Sequence, residues 1–168
     1  MDAFIGLGSN LGDPLAQLYA AGRALGRLGP IRQRSAVYQT APVGGPPQPD
    51  YLNAALWLSV PLEPHALLAE LQRIERDAGR VRDPAQRNAA RVLDLDVLLL
   101  GLGGDRVLVS ADLVVPHPRL HLRAFALRPL LDLLPELVHP ALGVPLRELL
   151  RALPATEGAP PPRPVGWL

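Results

Sequence analysis

Two carboxylates separated by one residue are the feature of this sequence best suited to chemistry. Asp94 and Asp96 lie within a β-branched and leucine-rich run, 92–100, bounded by Arg91 and Gly101. Such a run predicts a buried strand, in which residues i and i+2 point to the same face. The two carboxylates would then stand side by side, roughly 7 Å apart along the strand, a spacing that suits the binding of one or two divalent cations.

A pair of like charges in a buried strand needs a cationic partner, because burying it alone costs several kcal/mol. Either a divalent metal or arginine side chains would supply the partner, and both interpretations stay open. The preceding segment, 80–91, has no apolar periodicity and carries Arg80, Arg82, Arg87 and Arg91. It predicts an arginine-rich loop that clamps a polyphosphate between metal and guanidinium groups, with a solvated charge run as the alternative.

Composition excludes several classes of protein. A length of 168 residues suits one domain, 1–168, and a net charge of +1 gives no overall basicity that would favour nucleic acid. Lysine is absent, so all 17 basic side chains are arginine and a Walker lysine is excluded. The lack of cysteine rules out disulfides and thiol catalysis. With no basic leader and no membrane-length apolar run, we expect a cytoplasmic protein.

Alternating strand and helix patterns predict an α+β fold, a mostly antiparallel sheet covered by helices. The predicted strands cover 2–8, 35–40, 51–60, 92–100 and 106–109. The predicted helices cover 14–28, 64–78, 121–134 with a break at Pro129, and 145–153. The proline-rich segment 155–168 predicts an extended tail on the surface.

The other polar candidates are less specific. The glycine turn 8–12, between a strand and a helix, is either an anion cradle or a plain turn. His117 lies between two prolines and is a candidate ligand, whereas we expect His65 and His139 on the surface.

Two pairs of polar side chains are also open to two interpretations. Tyr51 and Asn53 share a strand face, which suits either a flat ligand or core packing of the ring. Gln72 and Glu75 are neighbours at i, i+3 on a helix, which suits either a site or an exposed polar face.

Taken together, the motifs resemble the 6-hydroxymethyl-7,8-dihydropterin pyrophosphokinase family. Each motif is weak, but their order along the chain is specific. They are 5–12 (IGLGSNLG), 48–55 (QPDYLNAA), 72–75 (QRIE), 79–82 (GRVR), 91–97 (RVLDLDV), 115–118 (VPHP), 123–125 (RAF) and 135–140 (PELVHP).

The resemblance implies a ferredoxin-like, three-layer α/β/α fold with a central, mostly antiparallel sheet. It implies transfer of the terminal diphosphate of ATP to the hydroxymethyl group of the reduced pterin, giving AMP and the pterin diphosphate in folate biosynthesis. The implied partners are these two small molecules, in a monomer that binds neither nucleic acid nor membrane.

The resemblance also assigns residues to roles. Asp94 and Asp96 would hold two Mg²⁺ ions, and Arg80 and Arg91 would join them as catalytic residues. The implied pterin site comprises Thr40, Pro42, Val43, Tyr51, Asn53 and Phe125. The implied ATP site comprises Gln72, Glu75, Arg82, Arg91, His117 and Arg123.

One departure falls in the arginine-rich loop. The family commonly has Trp-Gly-Pro before the arginine of the aspartate strand, whereas 88–90 here read Asn-Ala-Ala. We therefore expect slower or looser closure of this loop over the phosphates, or a different sealing residue, rather than loss of activity. The alternatives to the pyrophosphokinase are another two-metal nucleotidyltransferase and a non-catalytic pterin or nucleotide binder.

Overall fold

The structure, a computed structural model, describes residues 1–80, 89–154 and 163–168. Elements are numbered along the chain. The central sheet contains β1 (Asp2–Ser9), β2 (Ile31–Arg34), β3 (Ala36–Thr40), β4 (Tyr51–Ser59), β5 (Asp94–Leu100) and β10 (Arg163–Trp167). Two small hairpins are formed by β6 (Leu108–Val109) with β7 (Val114–Val115), and by β8 (Val138–His139) with β9 (Val144–Pro145). The helices are α1 (Pro14–Leu25), α2 (Pro64–Asp77), α3 (Ala124–Leu133) and α4 (Leu146–Ala152), with a 3₁₀ turn at Leu120–Leu122.

The central sheet is antiparallel throughout and has the order β10-β3-β4-β1-β5, with β2 also paired to β4. The succession β1-α1-β3-β4-α2-β5 therefore places its four strands in the order β3-β4-β1-β5, which is the ferredoxin-like arrangement. This confirms the α+β fold expected from the sequence. In the described part of the chain, none of the helices has the length and apolar character needed to span a bilayer.

Each face of the sheet is covered by its own helices. On one face, alternate strand residues such as Leu7, Leu56 and Leu95 pack with Leu18 of α1 and Leu71 of α2. The opposite face has a second apolar cluster in which α3 covers part of the sheet. Strand alternation assigns every sheet residue to one of these two layers, so polar residues on the α3 side share one surface.

Several element predictions needed correction. The strand expected at 35–40 is β3, which begins at Ala36, and an additional strand, β2, precedes it; Ser35 separates the two, and its hydroxyl accepts the Ala55 N–H at 2.8 Å. The helix expected at 121–134 begins three residues later, and Pro129 lies inside α3 without breaking it. The end of the proline-rich tail is extended and mostly exposed, as expected, but it also joins the central sheet, because β10 forms the sheet edge beside β3.

Candidate functional site

Asp94 and Asp96 lie on the α3 face of the sheet, as the strand alternation predicted. In the ladder between β1 and β5, Asp94 is opposite Gly8 and Asp96 is opposite Gly6. The residue between them, Leu95, is buried in the opposite apolar layer. Both carboxylates therefore stand beside glycines, and no neighbouring side chain on β1 covers them.

Arginine side chains partner Asp94 on both of its oxygens. Arg80 Nη1 lies 2.5 Å from Asp94 Oδ1, and Arg91 Nη1 lies 2.6 Å from Asp94 Oδ2. Arg80 also donates to Glu75 of α2, whose carboxylate accepts the Leu95 N–H at 2.8 Å. Arginine compensation, one of the two interpretations left open above, is thus present for Asp94.

Glu75 is a buried member of this network. Its side chain is 1% exposed, so an exposed polar face is the wrong explanation for this residue. Glu75 reaches Asp94 through Arg80, so a third carboxylate belongs to the network around the aspartate pair. The only sequence signal was its place in a helical QRIE motif.

Asp96 faces a second pair of nitrogen-bearing side chains. Arg123 Nη1 lies 3.4 Å from Asp96 Oδ2, and His117 Nε2 lies 3.9 Å from the same oxygen. Burial raises the pKa of the Asp96 carboxyl, and the nearby negative charge of Asp94 raises it further. The positive charge of Arg123 opposes this shift. Asp96 keeps 36% of its side chain exposed and is the more accessible of the two aspartates.

His117 is a neutral ring between several cationic neighbours. Its Nδ1 accepts the backbone N–H of Arg119 at 3.0 Å, which assigns the proton of the neutral ring to Nε2; this nitrogen lies 3.4 Å from Arg123 Nη1 and 3.9 Å from Asp96 Oδ2. Burial, together with the positive charges of Arg123 and Arg119, lowers the pKa of His117 to about 4. The ring therefore offers an N–H without a positive charge at neutral pH.

A narrow cleft adjoins the aspartates on the same sheet face. Gly6, Gly8, Asn53, Asp94, Asp96, Arg123 and Phe125 are among the residues that line it. Asn53 Nδ2 donates to Thr40 Oγ1 at 2.7 Å, which fixes the amide at the cleft floor. A Cβ at Gly8 would lie 3.1 Å from Asn53 Oδ1, so the missing side chain is what leaves this floor open.

The aromatic side chains at the cleft differ in their surroundings. Phe125, in the first turn of α3, has the Arg123 guanidinium 5.3 Å from its ring centroid. The Tyr51 hydroxyl donates to the Ala89 carbonyl at 3.1 Å and also contacts Gln48 Oε1 at 3.2 Å. Tyr51 thus joins the cleft to the segment that precedes Arg91, while Phe125 presents a ring to the cleft itself.

The glycine turn 8–12 holds the neighbouring loops by its side chains. Ser9 Oγ donates to the Val92 carbonyl at 2.6 Å, and the buried Asn10 amide donates to Gln48 Oε1 at 2.9 Å. Asn10 Oδ1 accepts the Arg91 N–H at 2.7 Å. These bonds support the plain-turn interpretation, with a function in placing Arg91.

The remaining predicted site residues lie at the edges of this surface or outside the described residues. Pro42 is half-buried in the 41–50 loop and Val43 is 70% exposed there. Gln72 is half-buried on α2, three residues before Glu75. Arg82 lies outside the described residues, as do Arg87 and Asn88 of the arginine-rich loop.

A metal would have to be held mainly by Asp94 and Asp96. Among residues 1–80, 89–154 and 163–168, no cluster of three or more His, Cys, Asp or Glu side chains has a metal-binding arrangement. Two carboxylates fit Mg²⁺ nonetheless, because this ion commonly takes one or two protein carboxylates and completes its shell with water and substrate phosphates.

Paired carboxylates and several guanidinium groups beside a cleft with both polar and apolar walls are typical of an enzyme that handles phosphate next to a flat organic substrate. Comparison with known proteins specifies which one. Residues 4–135 match the 7,8-dihydro-6-hydroxymethylpterin-pyrophosphokinase family. The chain belongs to this family and is an enzyme that transfers a pyrophosphoryl group from ATP to hydroxymethyldihydropterin in folate synthesis.

Similar proteins agree with this assignment. The 2-amino-4-hydroxy-6-hydroxymethyldihydropteridine pyrophosphokinase of Pseudomonas aeruginosa is 43% identical over 153 residues, 90% of this chain and 91% of the relative. The enzyme of the same name from Haemophilus influenzae is 41% identical over 140 residues, 82% of this chain and 84% of the relative.

Solved structures support the fold. The wild-type Plasmodium falciparum HPPK-DHPS structure matches 89% of this chain with a TM-score of 0.67 at 14% sequence identity. This chain spans only 44% of that longer protein.

Proposed function

We propose that Asp94 and Asp96 hold Mg²⁺ together with the phosphates of ATP. Both carboxylates stand on one sheet face beside the cleft, and this shared placement is the observation that carries the proposal. Bound there, two magnesium ions would neutralise the phosphates and lower the pKa of the attacking hydroxyl. Asp96 is the more exposed carboxylate, whereas Asp94 would exchange arginine contacts for the metal.

The arginines that partner the aspartates would bind the phosphates. Arg80 and Arg91 converge on Asp94 and Arg123 approaches Asp96, so three guanidinium groups already face the position that the triphosphate needs. Guanidinium groups bind phosphate oxygens by short, charge-assisted hydrogen bonds. Arg80 would be fixed during this exchange by the buried Glu75, which acts through Arg80 rather than by touching the nucleotide.

His117 and Gln72 complete the proposed nucleotide site. His117 donates its Nε2–H to a phosphate oxygen and stays uncharged while doing so, because its pKa lies far below neutrality. Gln72 lies on α2 one turn from Glu75 and is assigned to ATP from the resemblance. Arg82 shares the arginine-rich loop and is assigned to ATP from the resemblance alone.

The pterin would occupy the cleft between Phe125 and the floor formed by Gly8 and Asn53. A flat heteroaromatic ring stacks on Phe125, and the Asn53 amide hydrogen-bonds its polar edge. Thr40 fixes that amide, and Tyr51, Pro42 and Val43 border the cleft from the neighbouring strand and loop.

In this arrangement the hydroxymethyl oxygen attacks the β-phosphorus of ATP. The bond from this phosphorus to the oxygen it shares with the α-phosphate breaks, AMP is the leaving group, and the hydroxyl proton is released to solvent when the site opens and the products leave. Arg80 and Arg91 hold the migrating diphosphate through charge-assisted bonds, and their closure excludes water that would otherwise hydrolyse ATP. We expect this unit, 1–168, to act as one pyrophosphokinase domain, as a monomer and in the cytoplasm.

The decisive experiment compares aspartates inside and outside the proposed site. Asp96→Asn and Asp94→Ala should each lower kcat about 100-fold or more, since a lost metal ligand removes several kcal/mol of charge stabilisation. Asp77→Asn, on the exposed surface of α2 and paired with Arg73, is the matched control and should keep full activity.

Turnover is measured as AMP formed from ATP, Mg²⁺ and the reduced hydroxymethylpterin. Release of diphosphate instead of AMP would indicate a nucleotidyltransferase, and no release would indicate a binder. Undiminished turnover in Asp96→Asn and Asp94→Ala would show that the metal is held elsewhere.

A further inference from the structure

A polar cluster outside the proposed substrate contacts joins α3 to strand β3. Tyr38 is 3% exposed, and its hydroxyl lies 3.0 and 2.8 Å from the two carboxylate oxygens of Asp132. Asp132 Oδ2 also accepts the backbone N–H of Ala36 at 3.1 Å. Arg128 Nε donates to the Tyr38 hydroxyl at 3.2 Å. We call Tyr38, Arg128 and Asp132 the anchor cluster.

The strand end of the anchor cluster is adjacent to the cleft floor. Tyr38 is opposite Asn53 in the ladder between β3 and β4, so the two side chains lie on the same sheet face. Thr40, two residues further along the same face, accepts the hydrogen bond that orients the Asn53 amide. Any shift of β3 at Tyr38 is therefore transmitted to the floor of the cleft.

At its helix end, the anchor cluster is connected through α3 to Phe125, on the opposite wall of the cleft. Arg128 lies three residues and Asp132 seven residues beyond Phe125 in the same helix, about 10 Å along its axis. Arg123, which approaches Asp96, is the N-cap of this helix. A helix of ten residues moves as a unit, so displacement at Asp132 displaces Phe125 as well, whereas the Arg123 guanidinium lies outside the helix and is also held by its contact with Asp96 of β5.

The apolar contacts of α3 do not fix this displacement alone. Ala126, Leu127 and Leu130 pack on the sheet through contacts that carry no directional preference. The hydrogen bonds of Asp132 to Tyr38 and to the Ala36 N–H are directional, and they specify one position of the helix along β3.

We propose that Tyr38 and Asp132 are positioning residues, whose contact sets the gap between the Phe125 ring and the Asn53 floor and so determines pterin affinity. Neither residue lines the cleft. The inference rests on the proposed pterin site. Loss of the contact would leave α3 attached but widen its range of positions, which weakens stacking on Phe125 more than it weakens binding of ATP.

The test measures KM for the pterin and for ATP separately in three variants. Tyr38→Phe keeps the ring and removes the hydroxyl; Asp132→Ala removes both acceptors; Asp132→Asn keeps one acceptor and should restore part of the affinity. We expect the pterin KM to rise about tenfold in Tyr38→Phe and Asp132→Ala, the factor that corresponds to about 1.4 kcal/mol, with ATP KM within twofold of wild type.

Tyr19→Phe is the matched control, because it removes a tyrosine hydroxyl that bonds the Trp167 carbonyl at 2.9 Å on the opposite layer. A merely structural role of the anchor cluster would lower the melting temperature and the active fraction, but KM does not depend on the active fraction. An unchanged pterin KM in Tyr38→Phe and Asp132→Ala therefore overturns the proposal, whatever happens to stability.

Asn53→Ala separates this failure from failure of the pterin site itself. If Asn53→Ala raises the pterin KM and the anchor variants do not, the site stands and the positioning role falls. If Asn53→Ala leaves the pterin KM unchanged, the pterin binds elsewhere and both proposals fall.

Discussion

A methyl group at Gly8 should block the pterin while leaving the fold intact. A Cβ there would lie 3.1 Å from Asn53 Oδ1, and 3.9 Å from both Asp94 Cβ and Tyr51 Cδ1. The first distance is shorter than an ordinary van der Waals contact, so the Asn53 amide must move by a few tenths of an ångström. That movement strains its 2.7 Å hydrogen bond to Thr40 and places the methyl group where the flat ring would lie.

The magnitude follows from overpacking. An added methyl group in a packed site costs about 1–3 kcal/mol, which corresponds to a pterin KM raised by about 5- to 150-fold. Stability should change little, because Gly8 does not have a positive φ, and Gly→Ala at such a position gains about 0.4–1 kcal/mol through the unfolded chain. The strain at Asn53 offsets this gain.

The assay is steady-state kinetics of Gly8→Ala with each substrate varied in turn, accompanied by urea unfolding. Gly166→Ala in β10 is the matched control, since a Cβ there would meet no atom within 4 Å. A pterin KM for Gly8→Ala equal to that of Gly166→Ala would refute the placement of the pterin over this floor. A raised ATP KM with an unchanged pterin KM would show that the glycine faces the nucleotide instead.

Three further predictions concern buried charge and the sheet edge. Glu75→Gln should lower kcat at least about tenfold and destabilise the fold by about 3–5 kcal/mol, because it leaves Arg80 partly unpaired. The control is Glu70→Gln, exposed on the same helix, which should change neither kcat nor stability measurably. Equal effects of the two variants in kinetics and urea unfolding would contradict this prediction. His139→Phe should stabilise the protein by about 1–3 kcal/mol, because neither buried ring nitrogen has a hydrogen-bond partner among the residues that the structure describes. Burial lowers the pKa of His139 below its unfolded value, so wild-type stability falls as the pH drops below about 6.5; the advantage of Phe should therefore grow from pH 8 to pH 5 in urea unfolding, and a constant advantage would contradict it. Deleting 163–168 should lower the melting temperature, since it uncovers β3 and removes Leu168 from the apolar layer; an unchanged melting temperature would show that β10 adds nothing to the sheet.

Sequence patterns within a single strand or helix were enough to predict the features that depend only on that element. Alternation in 92–100 was enough to place both aspartates on one face, because a strand has a fixed period of two. The caps and apolar spacing likewise located α1, whose N-cap Asp13 accepts the Ala16 N–H at 3.0 Å. The resemblance then supplied the family, which no single motif could specify.

Features that depend on distant partners were not predictable in this way. His139 was expected on the surface of a proline-bounded turn, but it is 4% exposed with its ring edge-on to His121 at 5.9 Å. The burial of Glu75 depends on Leu95, twenty residues away in sequence. The segment now seen as β10 was proline-rich and therefore assigned to a tail, although an edge strand tolerates proline where its N–H would face solvent.

The negative charge of the aspartate pair needs compensation both in the free site and during the proposed reaction. Sequence reasoning left two sources of compensation open, arginine or metal, and treated them as alternatives. In the structure, the groups that compensate Asp94 are Arg80 and Arg91, the same guanidinium groups that we propose bind the phosphates. A magnesium ion at Asp94 would release these arginines at the moment when a triphosphate arrives to bind them. Under the proposed function, the two sources would be successive states of one site, with Arg80 and Arg91 passing from Asp94 to the phosphates.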